Sequence, residues 1–140
     1  MRLVLTALIF LTGLFDLFMA GSFLFAPLDA AAGLGVTAIG LMGDVQGAAP
    51  GLSTIRADFT AFFGISALCM MWGAWRRNGD LLLVPGLLFG TAFLARAINL
   101  AVVGAYPAWW FPMAVEAFHF ALLIAAWRIL PHHRIEEIAS

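Results

Sequence analysis

The sequence predicts an all-α integral membrane bundle of four transmembrane helices, and three observations carry that reading. Hydrophobic residues make up 64% of the 140-residue chain and charged residues 11%, whereas a soluble domain needs about a quarter of its residues charged. The mean hydropathy is +1.01. Four apolar stretches each come near the ~20 residues that cross a hydrocarbon core. No stretch alternates polar and apolar residues as a barrel wall must, so the spans read as helices. The length suits a single membrane domain over residues 1–140.

The first span runs from about Leu3 to Phe25 and ends at Pro27. Its competing reading is a cleaved signal peptide. A lone Arg2, an overlong apolar run and Asp16 in the middle favour a retained helix. The second span runs from about Ser53 to Trp75 and stops at Arg76-Arg77-Asn78-Gly79-Asp80. The third covers Leu81 to about Gly104, ahead of Tyr106-Pro107. The fourth begins near Pro112, a good first-turn residue, and ends at Leu130-Pro131. The expected helices are therefore about 3–25, 53–75, 81–104 and 112–130.

Residues 26–52 form a long Gly- and Ala-rich connection that includes Asp29 and Asp44. A flexible linker is the plain reading. A lid packed on the bundle is preferred, because Val36–Met42 is too apolar to sit in water. Arginine placement sets the orientation. Arg2, Arg76, Arg77, Arg128 and Arg134 share one side, and the opposite loops 26–52 and 105–111 contain no arginine or lysine. The positive-inside rule then puts both termini in the cytoplasm, in a bacterial inner membrane. Trp72, Trp75 and Trp127 mark the inner interface, Trp109 and Trp110 the outer one.

Composition also excludes some partners. Eight acids against seven arginines give a net charge of −1, which lacks the basic footprint of a nucleic-acid binder. Cys69 is the only cysteine, so no internal disulfide can form.

Ionisable residues inside a bilayer are costly and mark function. Counted at ~1.5 Å per residue from the outer end, Asp16 lies roughly 13 Å deep and Arg96 roughly 12 Å. Asp58 and Asn99 lie roughly 7–8 Å deep, with Glu116 and His119 at roughly 6 and 10 Å. Arg56 is nearest the outer surface. All belong to the outer half, whichever way their helix runs. Arg96 with Asn99, and Glu116 with His119, are three apart and share a helix face. Arg56 and Asp58 are two apart and cannot both face the bundle. The charges balance if His119 is protonated.

Polar side chains can serve simply as glue between helices, at about 0.6 kcal/mol each. Gathering at one depth favours a ligand site in Asp16, Arg56, Asp58, Arg96, Asn99, Glu116 and His119. Small residues can already pack the helices, as in Gly86-Leu87-Leu88-Phe89-Gly90. Weaker signals carry less. Glu116-Ala117-Phe118-His119 has the E-x-x-H spacing of dimetal helices, but those sites need two such motifs and further glutamates. No metal or other cofactor is expected. His132-His133 with Glu136 and Glu137 reads as a solvated tail, and the phenylalanines as lipid-facing and packing residues. The chain lacks nucleophile-elbow, CxxC, P-loop and dinucleotide fingerprints.

Thr54-Ile55-Arg56-Ala57-Asp58-Phe59, Ala95-Arg96, Gly104-Ala105-Tyr106-Pro107 and Glu116 together resemble the bacterial membrane family called domain of unknown function 4345. The resemblance covers roughly residues 50–130 and is looser over the first helix. Phe62-Phe63-Gly64 stands where that family more usually has a Gly-Gly pair. The resemblance implies a four-helix architecture broadly similar to DoxX-like membrane proteins. It singles out Arg56, Arg96 and Glu116, and it supplies no reaction.

Three functions compete. The favoured one is binding of a membrane lipid or other amphipathic small molecule in a polar outer-half cavity. Arg96 would hold an anionic or carbonyl group there, with Glu116 and His119 tuning it. The second is an accessory subunit, in a homo-oligomer or a larger membrane complex. The third is an intramembrane enzyme acting on a lipid or isoprenoid, with Glu116 and His119 exchanging a proton. The balance leans away from an enzyme.

Overall fold

A computed structural model describes residues 2–34 and 45–132, residues 45–50 through their backbone. Five helices follow one another: α1 (Arg2–Phe25), α2 (Pro27–Gly33), α3 (Val45–Arg76), α4 (Asp80–Val103) and α5 (Trp110–Ile129). Four are long and apolar enough to cross a membrane, α3 through its Gly51–Arg76 portion. No strand occurs among the described residues. The chain is an all-α, multi-pass membrane bundle.

Helix α1 satisfies its hydroxyl side chains locally, as a bilayer favours. The hydroxyls of Thr6, Thr12 and Ser22 donate to carbonyls one turn back, at 2.9, 2.8 and 3.0 Å. At the end of α3, Asn78 N–H bonds Gly73 O and Arg77 N–H bonds Ala74 O, with Arg77 at φ 53°. This is the Schellman closure, made with arginine where glycine is usual. Asn78 Oδ1 then accepts from Asp80 N–H to start α4. Gly104, at φ 93°, ends that helix with its N–H on Leu100 O.

Close contacts fix the register. The α carbon of Gly13 approaches Ala67 and Met70, and Gly64 faces Ala20, so α1 and α3 run antiparallel. Gly73 packs on Leu82 across the α3–α4 turn. Gly86 faces Leu123 and Ile124, and a methyl group added at Gly90 would strike the Phe120 ring at 2.8 Å. The small-xxx-small pattern therefore seats α5 on α4. Neighbours around the ring are α1–α3, α3–α4 and α4–α5, while α1 and α5 meet only sparsely. Leu3, Leu11, Phe18, Leu68, Leu94, Ile98 and Trp75 point outward, as lipid-facing side chains do.

Two boundaries differ from the sequence reading. The connection expected over 26–52 is partly helical: α2 occupies Pro27–Gly33 and α3 starts at Val45 rather than near Ser53. Ala-rich sequence is good helix material, which a loop reading overlooked. Pro27 and Ala31 are buried, so α2 folds back onto the bundle. The Val36–Met42 part of the expected lid lies outside the described residues. Helix α5 starts at Trp110, two residues before Pro112. The first N–H groups of a helix have no partner within it, so a proline there loses nothing.

Candidate functional site

The bundle has a terminal end, with Arg2, the α3–α4 turn and Ile129, and a far end, with Phe25, Val103 and Trp110. The far half contains a cavity of about 420 Å³. Its walls are aromatic: Phe15, Phe59, Phe62, Phe63, Phe89 and Phe111 line it, and Leu34 reaches it from beyond α2. Phe59, Phe62 and Phe63 recur at helical spacing on the inner face of α3. Phe23 stacks on Phe59 and Phe63, with centroids at 4.6 and 5.8 Å. Phe62 meets Phe89 edge-on at 5.0 Å. These phenylalanines pack on one another as the sequence reading expects, and Phe59, Phe62, Phe63 and Phe89 also line the cavity. The i, i+3, i+4 spacing of Phe59, Phe62 and Phe63 was the signal that could have found them.

One wall is charged. Arg96 Nε lies 2.6 Å from Glu116 Oε1, a contact from α4 to α5. The Arg96 side chain is 33% exposed and that of Glu116 9%. The contact is single, not the two-pronged fork that guanidinium and carboxylate can form. Glu116 Oε2 is buried and has no hydrogen-bond partner. Arg96 also interacts with Tyr106, just beyond the end of α4.

One turn further along α5, His119 sits beneath the cavity with its ring stacked on Phe89 at 4.1 Å. Its Nδ1 lies 2.8 Å from Val115 O, and its Nε2 lies 3.3 Å from Asp16 Oδ1 on α1. A carbonyl accepts only, so Nδ1 carries a proton. Nε2 faces Oδ1 within ion-pair distance. The contact is poorly aligned, and both Asp16 oxygens and His119 Nε2 lack a hydrogen bond. Ser66 is also fully buried without a partner. The α1–α3 register, with Gly13 against Ala67 and Ala20 against Gly64, brings it to the depth of Asp16.

The seven residues singled out in the sequence therefore divide. Asp16 with His119 and Arg96 with Glu116 form two adjacent inward pairs from three helices. Asp58 is exposed overall yet lines the cavity. Arg56 and Asn99 are exposed and do not line the cavity. Asn99, expected to share the face of Arg96, is thus not brought to the site, although Glu116 and His119 at the same spacing both are. No cluster of three metal-ligating side chains occurs among the described residues.

A second, open cleft of about 600 Å³ runs between α1 and α5. Leu8, Leu11, Thr12, Trp110, Phe118 and His119 are among its walls, and Phe15, Phe111 and Val115 border both spaces.

No protein-family model, curated protein or solved structure matches the chain. Functional inference therefore rests on side-chain geometry.

Proposed function

We propose that the protein binds an amphipathic small molecule or lipid, its apolar body among the phenylalanines and its polar head at Arg96 and Glu116. The carrying observation is an aromatic cavity of about 420 Å³ with one ion-paired wall whose carboxylate is half satisfied. Ligand sites are typically concave, of about 300–1,000 Å³, apolar, and marked by few polar groups. Pure helix glue predicts the opposite, a set of mutually satisfied side chains, because an unmade buried hydrogen bond costs about 1–3 kcal/mol. Because Arg96 is already compensated by Glu116, an anionic head gains less there than an unpaired arginine would give it.

The far end faces the outside of a bacterial inner membrane in this reading, and both termini face the cytoplasm. The arginine asymmetry of the sequence supports it. A periplasm-active reporter fused after Ser140 should be silent, and one inserted between Ala105 and Tyr106 active. The reverse result would invert the topology.

Binding is tested by purifying the chain in detergent, extracting it with organic solvent and identifying co-purified molecules by mass spectrometry. Ala92 and Ala95 line the cavity. The Ala92→Leu/Ala95→Leu variant should lose the co-purified amphiphile. Equal recovery from both proteins would place any bound molecule outside the cavity.

A further inference from the structure

We propose that the head group read by Arg96 and Glu116 is a neutral hydroxyl, on an alcohol or a phenol; this rests on the binding function proposed above. The inference comes from what each partner still lacks. Guanidinium has five N–H donors and no acceptor; Nε is engaged by Glu116 and Tyr106 takes up part of the rest, which leaves donors free. Carboxylate is an acceptor only, and Glu116 Oε2 has no donor. No protein donor reaches that oxygen, and Glu116 lines the cavity, so an occupant can supply the donor once the carboxylate turns toward it. A hydroxyl is the smallest group that accepts from Arg96 and donates to Glu116 through one atom.

Charge points the same way. Arg96 and Glu116 cancel, and Asp58 adds a negative charge on the cavity wall with no ion pair among the described residues. A carboxylate or phosphate head would set its oxygens against Glu116 and Asp58. An ammonium head would meet the guanidinium. An ether or ester oxygen could accept from Arg96 and would leave Oε2 unserved. The phenylalanine walls offer only apolar contact, so selectivity falls on this pair.

The test uses three probes with one apolar body: 4-hexylphenol, 4-hexylanisole and 4-hexylbenzoate. Equilibrium dialysis is run against the full chain in phosphatidylcholine nanodiscs, with empty discs as the partition blank. The phenol should bind about ten- to a hundredfold tighter than the anisole, the range for a hydrogen bond to a charged group. The benzoate should bind no tighter than the anisole. In Glu116→Gln the guanidinium loses its counter-charge, and the benzoate should become the tightest of the three. Equal affinity for phenol and anisole, or a benzoate preference in the unaltered protein, would overturn the hydroxyl assignment while leaving binding intact. Saturable binding by none of the three would remove the binding reading along with it.

Discussion

The two halves of this bundle are built on different terms. In the terminal half, Met70, Ala74, Leu82, Leu123, Ala126 and Leu130 are buried together, and Gly73 and Gly79 let neighbouring segments close to contact distance. An added methyl at Gly79 would lie 2.9 Å from the Trp127 carbonyl oxygen. In the far half the centre is hollow, and two polar pairs, Arg96 with Glu116 and Asp16 with His119, stand where apolar side chains could have met. Lipid tails are as apolar as leucine, so membrane helices associate through close packing rather than hydrophobic exclusion. The filled half supplies that packing. The hollow half keeps it only between α1 and α3, at Gly64 against Ala20 and in the Phe23 stack, and burial of polar groups there is the cost of a site.

The sharpest way to break the contrast is to unbalance the far half. Replacing Arg96 by Leu leaves the buried Glu116 carboxylate alone, and should destabilise the protein by about 3–5 kcal/mol. Glu116→Leu leaves a partly exposed arginine that can reach toward the surface, so its loss should be smaller. The Arg96→Leu/Glu116→Leu double variant should recover much of that stability and still lose the bound amphiphile. Thermal unfolding in detergent, with mass spectrometry of the co-purified molecule, reads both quantities. A stable double variant that keeps its ligand would reduce the pair to glue.

Next in size is the filled half. Leu82→Ala should cost about 2–5 kcal/mol, as cavities in well-packed cores do, and should leave probe affinity unchanged. A parallel loss of affinity would show that the halves are not separable. Filling the hollow is the milder reverse experiment: Ala92→Leu should leave stability unchanged or raise it by about 0.5–2 kcal/mol while weakening binding. Smallest of all, Arg56→Ala and Asn99→Ala should stay within about 0.5 kcal/mol of the parent protein, as exposed positions do, with binding unaltered.

Much of the filled half was legible in the sequence. Twenty-residue apolar runs, the Arg76–Asp80 break and the glycines at 86 and 90 each have local signatures, and each fixes one structural consequence. The far half was legible in its charges and not in its walls. Depth counting grouped Asp16, Arg96, Glu116 and His119 correctly, because helix rise is constant. The same counting gathered Arg56 and Asn99, because depth says nothing about rotation around the helix axis. The cavity wall is built by Phe59, Phe62 and Phe89, from two helices, with Phe23 stacked behind Phe59. A single phenylalanine in a span reads the same whether it faces lipid or a hollow, and only the 59, 62, 63 spacing sets this group on one face. The start of α3 at Val45 escaped for a related reason, since alanine and glycine also suit a linker.

The contact between Asp16 and His119 has a consequence for how the chain is made. Asp16 enters the membrane on the first helix, and its partner arrives on the last. At 5–20 residues per second the intervening stretch takes about 5–20 s to synthesise. For that interval an acid, costing about 2.5–3.5 kcal/mol at mid-bilayer, has no imidazole beside it. Helix α3 packs along α1 first and must hold it in place, with Ser66 the polar side chain nearest in register. Closure of the ring by α5 is thus the step that completes insertion. A ribosome stalled before Trp110 would leave three helices and an unmatched acid, a natural substrate for membrane proteolysis. Pulse-chase labelling of chains truncated after Val103 should show them cleared faster than full-length ones, and Asp16→Leu should slow that clearance.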